Sequence, residues 1–346
     1  MDSGDSRHLI PRAGDSSDTF LLPVLAIAMP RRLGMIVTMR ARGYARGVTE
    51  SGASGETADR RAQAFIGRGF RPAVVAGLGR ACHPGPTVAV TALVTALAVA
   101  SGRDAPGCAL VAVAVLTGQL SVGWCNDAVD AGRDAAVGRT AKPIVAGLVS
   151  ARTVFAAAII ALVLCVPLSL ACGLAAGAVH LIAVAAAWAY NLGLKATVFS
   201  WLPYATGFGA VPVFVAAGLP GRQWPAWWAV AAAALLSCGA HLANVLPDIT
   251  ADVATGVRGW PQRLGPGRVR ALIPVPPMVA SALLVLAPPG APSALGWVGL
   301  AAVALSGAAG LLLAGRSPKA PFAAAIVCAA VDVVLLIATG TGITSL

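Results

Sequence analysis

The stretch "CALVAVAVLTGQLSVGWCNDAVDAGRD" (Cys108–Asp134) runs from a long apolar segment into an asparagine and three aspartates. On a helix, positions three, four and seven apart share one face, so Asp127, Asp130 and Asp134 would project together. Like charges so placed repel one another, and carboxylates at the edge of an apolar segment are costly to keep. This arrangement predicts a helix that enters a membrane and carries a functional carboxylate cluster at one end.

The composition supports a membrane protein. Of the 346 residues, 58% are hydrophobic and 11% are charged, whereas about a quarter of the residues in a soluble protein are charged. The apolar runs are continuous and close to the ~20 residues that cross a bilayer as a helix, which disfavours a β-barrel. We therefore predict an all-α, polytopic protein embedded in the lipid bilayer. The seven cysteines form no C-x-x-C pair and are interpreted as packing residues.

The apolar runs predict nine transmembrane helices. They cover residues 84–101, 107–128, 152–171, 173–191, 201–219, 226–247, 269–288, 292–314 and 321–339. Residues 1–75 are rich in Ser, Gly, Asp and Arg, and we expect a disordered cytoplasmic extension there. Residues 76–346 would then form the transmembrane domain.

The basic residues indicate the orientation of the chain. Apart from the N-terminal segment they concentrate in the even-numbered connections, and the opposite loops hold only Arg103 and Arg222. By the positive-inside rule, the N-terminus and the aspartates would be cytoplasmic and the C-terminus outside, in a multi-pass protein of the cell membrane. This topology signal accounts for the net charge of +11 better than nucleic acid does, so we expect no nucleic-acid partner.

A second polar cluster lies in "NVLPDITAD", residues 244–252. Its Asn-x-x-x-Asp-x-x-x-Asp spacing repeats that of Asn126, Asp130 and Asp134 with an offset of 118 residues. The two clusters hold five of the seven carboxylates that follow residue 60. We interpret them as an internal pseudo-repeat, in which spans 1–4 correspond to spans 5–8 and the two copies face one cavity.

The carboxylates and nearby cations together suit a diphosphate. Mg²⁺ prefers oxygen ligands and is commonly held by a few carboxylates plus substrate phosphate oxygens, so it is the expected cofactor. Fixed positive charge would stabilise a departing diphosphate. The candidate partners beside the clusters are Arg139, Lys142, Tyr190, Lys195 and Arg258. An apolar tail on that diphosphate would lie among the helices.

These motifs carry a resemblance. "NDAVDAGRD" fits the N-D-x-x-D-x-x-x-D signature of the UbiA superfamily of intramembrane prenyltransferases, "DITAD" fits its second aspartate motif, and "YNLGLK" resembles its tyrosine–lysine segment. The resemblance covers about residues 75–340. It implies a bundle of nine transmembrane helices around a central cavity.

The resemblance also implies roles for residues. The carboxylates that would hold Mg²⁺ and take part in catalysis are Asp127, Asp130, Asp134, Asp248 and Asp252. The side chains that would bind the substrate are Asn126, Arg139, Lys142, Tyr190, Lys195, Asn244 and Arg258. Family members often read R-P-I where this chain has Lys142-Pro143-Ile144, which keeps the charge but loses the bidentate geometry of arginine.

The expected function is Mg²⁺-dependent transfer of a prenyl group from an isoprenyl diphosphate donor to a small acceptor, aromatic or a quinone precursor. Two other enzyme activities would use the same site: a terpene cyclase, and a phosphoribosyltransferase acting on a polyprenyl phosphate. A secondary transporter belongs to a different class. It is disfavoured because the acidic clusters lie at one face of the membrane and not at its midplane.

Overall fold

The fold is described by a computed structural model that covers residues 72–221, 224–313, 316–317 and 320–339. Almost all of the predicted extension over residues 1–75 lies outside these ranges. In the described residues, the predicted all-helical class is confirmed. The α-helices are α1 (Pro72–Ala81), α2 (Pro84–Ala100), α3 (Ala105–Ala136), α4 (Ala151–Ala171), α5 (Leu174–Leu192), α6 (Leu202–Ala217), α7 (Trp227–Val245), α8 (Ile249–Ala254), α9 (Trp260–Leu264), α10 (Pro266–Leu272), α11 (Val275–Leu286), α12 (Ala294–Leu313) and α13 (Ala320–Thr339). Short 3₁₀ turns cover Leu194–Ala196 and Leu246–Asp248.

Helical segments occupy each predicted span, although they differ in length. Among the described residues, six helical stretches are long and apolar enough to cross a membrane. The pair α1 and α2, bent by 60°, could form a seventh, while α6 and α13 contribute shorter apolar helices. The multi-pass character is thus clear, and the count of nine crossings stays a prediction.

Local sequence explains where several helices begin and end. The Asp104 carboxylate accepts a hydrogen bond from the Gly107 backbone N–H at 3.2 Å and so caps the start of α3. Proline marks two of the breaks, because it lacks an amide hydrogen and clashes with the preceding turn. Helix α7 ends just before Pro247, and the break between α10 and α11 falls at Pro274.

The apolar residues are distributed as a bilayer requires. Large side chains on the outer face of α4 are exposed, among them Ile160 at 61% and Val163 at 63%. The main core is formed by valine, leucine, alanine and phenylalanine side chains that point inwards from the central helices. The outward-facing apolar surface of α4 would contact lipid, while the inward-facing surfaces surround the interior of the bundle.

One end of the bundle is fastened by Arg103, which follows α2. Its guanidinium donates to the backbone carbonyl of Gly218 at 2.9 Å and to that of Cys172 at 3.3 Å. These carbonyls lie after α6 and in the tight turn between α4 and α5. Arg103 therefore joins three inter-helix connections at the end of the bundle opposite the aspartates.

Candidate functional site at one end of the bundle

The two aspartate motifs meet at the same end of the bundle. Helix α3 continues without a break through Asp127, Asp130 and Asp134, as the spacing predicted. The second motif is not on one regular helix: Asp248 ends the 3₁₀ turn that follows α7, and Asp252 lies in α8. The break follows from Pro247, which interrupts the ladder of α-helical hydrogen bonds.

Arg139 connects the motifs directly. One guanidinium nitrogen donates to Asp134 at 3.3 Å, and the other donates to Asp248. Burial of Arg139 disfavours its charge, but the carboxylates of Asp248 and Asp134 outweigh this effect and raise its pKa above the ordinary value. Asp134 and Asp248 are 114 residues apart in the sequence. The two motifs thus share one cation.

Asp127 is the most enclosed carboxylate of the first motif, with 2% of its side chain exposed. Its Oδ1 forms an ion pair with Lys142 and lies 3.0 Å from Nε2 of His83. The Lys142 ammonium is also 3.4 Å from that histidine nitrogen. The other oxygen, Oδ2, is buried and has no hydrogen-bond partner among the described residues.

His83 occupies the bend between α1 and α2. Its φ of 54° is in the left-handed region, and in the described chain it is the single residue other than glycine with a positive φ. Such a backbone is costly for a residue with a side chain and is kept when its surroundings hold it in place. Here the contact with Asp127 and the packing of the bend hold His83 over the first motif.

Asp130 is held by two cations. Both of its carboxylate oxygens accept hydrogen bonds from the Lys195 ammonium at 2.7 Å, and Arg133, one turn further along α3, pairs with Oδ2 at 2.6 Å. Burial lowers the pKa of Lys195 below its ordinary value, although the Asp130 carboxylate opposes the shift. Lys195 is therefore a charged group that is buried at appreciable cost beside the carboxylates.

The remaining polar side chains support these contacts. Asp252 accepts a hydrogen bond from Gln262 at 2.8 Å. Asn126 donates to Asn191 at 3.0 Å, and Asn244 donates to the hydroxyl of Tyr204 at 3.1 Å. Neither asparagine is paired with an aspartate of the motifs in the described structure.

Tyr190 is buried and packs edge-on against Tyr204, with the ring centroids 5.4 Å apart. The ring of His241 lies 6.0 Å from that of Tyr190 and 4.3 Å from that of Tyr204, and its Nε2 lies 3.2 Å from the Ser200 hydroxyl. This aromatic cluster joins α5, α6 and α7.

Arg258 differs from the other predicted site residues. Its side chain is exposed, and among the described residues no ion pair joins it to either motif. Three partners of the carboxylates were not among the predicted site residues: His83, Arg133 and Gln262. The three-residue spacing of Asp130 and Arg133 on one helix was a usable signal, whereas His83 and Gln262 approach the motifs only through the tertiary fold.

The carboxylates are only partly neutralised by side-chain cations in this structure. In the ranges described above, no three histidine, cysteine or acidic side chains stand close enough to form a metal site as placed. The five aspartates face four cations that contact them: Arg133, Arg139, Lys142 and Lys195. The cluster therefore retains a net negative charge, which favours a further cation.

An apolar cavity lies deeper in the bundle. It is bounded by α2, α3, α5 and α6 and is lined by Val90, Val94, Phe208 and Phe214 together with the polar side chains of Gln119 and His180. Gln119 precedes Asp127 by eight residues on α3, or about 12 Å at 1.5 Å per residue. Helix α3 thus borders the apolar cavity at Gln119 and carries the aspartates of the first motif further along.

Comparison with known proteins agrees with this arrangement. The sequence pattern of the UbiA prenyltransferase family matches residues 87–326. A search of curated proteins finds no significant match. Among solved structures, that of a digeranylgeranylglyceryl phosphate synthase is similar with a TM-score of 0.59 at 15% identity, covering 77% of this chain and 98% of the other.

Two structures of a UbiA homologue from Archaeoglobus fulgidus are also similar. The one bound to DMAPP and Mg²⁺ gives a TM-score of 0.56 at 16% identity, covering 75% of this chain and 98% of the other. The one bound to GPP and Mg²⁺ gives 0.55 at 16% identity, covering 76% and 98%. At this identity the likeness concerns the fold, but the family match extends over more than half of the sequence. The predicted resemblance is confirmed: this chain belongs to the UbiA prenyltransferase family.

Proposed function

We propose that this protein transfers a prenyl group from an isoprenyl diphosphate to a small aromatic or quinone-precursor acceptor, in a reaction that depends on Mg²⁺. The observation that carries the proposal is the convergence of both aspartate motifs on Arg139, with Lys142 and Lys195 beside them and an apolar cavity below. Membership of a prenyltransferase family and the ligands of the Archaeoglobus homologue support the same substrate class.

The donor set fits Mg²⁺. All candidate ligands are carboxylate oxygens, the cluster has more negative than positive charge, and the buried Oδ2 of Asp127 lacks a partner in the described structure. The residues that would hold the ion are Asp127, Asp130, Asp134, Asp248 and Asp252. Mg²⁺, when bound, neutralises charge on phosphate oxygens.

The cations would act on the diphosphate itself. Arg139, Lys142 and Lys195 now donate to carboxylates, and each has N–H groups that can turn to phosphate oxygens. Their positive charge would stabilise the pyrophosphate as the carbon–oxygen bond breaks, because preorganised charge acts most strongly where negative charge develops. Asn126, Tyr190 and Asn244 would position these groups, and Arg258 would contribute charge at the exposed rim.

The apolar cavity would take the hydrocarbon chain. Its valine and phenylalanine side chains would keep water away from that chain. We also propose that the chain crosses the cell membrane nine times, with its N-terminus and both motifs on the cytoplasmic side and its C-terminus outside. The concentration of basic residues in the even-numbered connections supports this orientation.

The test is pyrophosphate release by detergent-solubilised protein given geranyl, farnesyl or geranylgeranyl diphosphate. Release should require Mg²⁺, stop on chelation and return when Mg²⁺ is restored. Asp127→Ala and Asp248→Ala should abolish it. Asp104→Asn is the matched control, because it alters a carboxylate at the opposite end of α3, where asparagine can still cap the helix.

Four results separate the alternatives. Prenyl product that forms only when an acceptor is added supports the proposal. A cyclised hydrocarbon formed without any acceptor indicates a terpene cyclase, and turnover of a polyprenyl phosphate with a phosphoribosyl donor indicates the phosphoribosyltransferase. Failure to release pyrophosphate from any donor, together with solute transport in liposomes, would overturn the enzyme proposal.

A further inference from the structure

A buried histidine on α7 is connected to the second motif by a series of hydrogen bonds. His241 has 0% of its surface exposed, and its Nε2 lies 3.2 Å from the hydroxyl of Ser200, which is also buried. The Ser200 oxygen accepts a hydrogen bond from the backbone N–H of Trp260 at 3.0 Å. These contacts join α7, the segment before α6 and the first residue of α9.

The contacts of Ser200 also assign the hydrogen of the imidazole. A serine hydroxyl has one hydrogen to donate, and its oxygen can accept from another donor. In the described chain His241 is the acceptor available to that hydrogen, because Trp260 is itself a donor. The neutral imidazole then carries its hydrogen on Nδ1, which is buried and has no partner among the described residues. A leucine would leave no donor unpaired there, so the presence of His241 indicates a use for its bond to Ser200.

The start of α9 governs a contact of the second motif. This helix has five residues, Trp260–Leu264, and so short a helix depends on tertiary contacts for its stability. Two residues after Trp260, the side-chain amide of Gln262 donates to Oδ2 of Asp252 at 2.8 Å. The Ser200 hydroxyl therefore holds the element that carries Gln262.

The same junction lies against the segment that carries Lys195. A Cβ atom at Gly259 would collide with the backbone oxygen of Lys195, and it would also meet Oε1 of Gln262 and Oγ of Ser200. The Lys195 ammonium pairs with Asp130 at 2.7 Å. The packing at Gly259 thus brings together a partner of each motif, Lys195 for the first and Gln262 for the second.

We propose that His241 is a positioning residue for the metal site: through Ser200 it holds the start of α9, and α9 places Gln262 against Asp252. The inference rests on the proposed function, in which Asp252 is a ligand of Mg²⁺. In the described structure no hydrogen bond joins His241 to an aspartate of either motif. Its effect on the site is therefore indirect and passes through Ser200.

Two buried serines provide a matched test of this link. Ser200 and Ser237 are each 1% exposed, but Ser237 donates to the carbonyl of Ala234 within its own helix. Amide hydrogen exchange of the purified full-length protein is followed by mass spectrometry without diphosphate or metal. Peptides that cover α9 should exchange roughly three- to tenfold faster in Ser200→Ala, which is the effect of losing one hydrogen bond. They should not change in Ser237→Ala. Equal exchange in the two variants would overturn the proposal.

Metal affinity tests the role of His241 itself. Mn²⁺ takes the same oxygen ligands as Mg²⁺, and its binding to the purified protein can be followed by electron paramagnetic resonance. His241→Phe keeps an aromatic ring but cannot accept from Ser200, so it should weaken Mn²⁺ binding by roughly three- to tenfold. A role confined to folding would lower the amount of folded protein and leave the affinity of that protein for Mn²⁺ unchanged. An unchanged affinity in His241→Phe would therefore contradict the proposal.

A double variant tests the route from His241 to Asp252. Gln262→Leu should also weaken Mn²⁺ binding. Adding His241→Phe to it should cause little further loss, because both substitutions act on one contact. Losses that multiply would show that His241 acts by another route and would overturn the proposal.

Failure of this inference and failure of the proposed function give different results. Wild-type protein that shows these Mn²⁺ effects but releases no pyrophosphate from any donor would refute the proposed function and support the positioning role. Mg²⁺-dependent release of pyrophosphate, together with the same Mn²⁺ affinity in wild type and His241→Phe, would support the function and refute the positioning role.

Discussion

At the scale of single residues, Arg139 unites the two motifs, because its guanidinium reaches Asp134 and Asp248 at once. A planar guanidinium has several donors in a fixed fork, whereas an ammonium is a single point charge. The residue thus combines two tasks: it holds the motifs together, and it supplies charge where we propose the diphosphate binds.

Substitutions of Arg139 should separate its role in joining the motifs from its role as a positive charge. Arg139→Leu should lower kcat/KM for pyrophosphate release by roughly 10²–10³-fold, the range seen when one preorganised donor to a developing anion is removed. Arg139→Lys should lose about tenfold, since charge remains but the bridge does not. Arg152→Leu serves as control, because Arg152 is exposed at the start of α4. A lysine variant as active as the wild type would show that bridging is unimportant.

Lys195 should set the alkaline limit of donor binding. Its pKa is lowered by burial, so its charge is lost as pH rises through a value below that of an ordinary lysine. The KM for the donor should therefore rise on the alkaline side. Lys195→Arg, which stays charged at every accessible pH, should move that rise to higher pH. Identical pH profiles for the two proteins would exclude Lys195 as the titrating group.

At the scale of elements, the bend between α1 and α2 positions His83, and it rests on α3. A Cβ atom at Gly123 of α3 would collide with the backbone carbonyl of Cys82, which precedes His83. The indole N–H of Trp124 donates to the Leu78 carbonyl at 2.9 Å and fixes the same contact. The close approach at Gly123 therefore sets the distance between His83 and Asp127.

Gly123→Ala should push this bend away from α3. We expect a loss of about 1–3 kcal/mol of stability from overpacking, measured by thermal unfolding in detergent, and lower pyrophosphate release as His83 leaves Asp127. Gly79→Ala is the matched control: it lies in α1, where an added Cβ meets nothing within 4 Å. Equal effects of the two substitutions would show that the contact at Gly123 does not matter.

The elements also show what a sequence can predict. Spacing on an uninterrupted apolar helix was enough to put Asp127, Asp130 and Asp134 together, and the repeated motif was enough to expect two clusters at one end. The contacts between side chains of different elements could not be predicted from the sequence. The reach of Arg139 to Asp248 depends on how a loop folds back, and the left-handed backbone of His83 depends on packing against α3. Such contacts are set by tertiary structure and not by local propensity.

At the scale of the whole molecule, the orientation in the membrane can be tested by labelling. The described cysteines are buried or half-buried, so single new cysteines at exposed loop positions should dominate the signal. Thr140→Cys lies beside the first motif and Pro220→Cys lies near Arg103, at the other end. In intact cells an impermeant maleimide should label Pro220→Cys, and it should label Thr140→Cys only after permeabilisation. The reverse pattern would invert the proposed topology.

The hydrogen bonds of Arg103 have a consequence for how a membrane-borne molecule can enter. They tie three inter-helix connections at the far end of the bundle, whereas the aspartate end is held together by ion pairs that a diphosphate could replace. If the helices stay joined at the Arg103 end and separate at the aspartate end, the gap between them is widest at the aspartate end. We therefore expect the displacement of the helices to increase from Arg103 towards Arg139. A lipid would then enter between the helices from the side, near the level of the lipid headgroups.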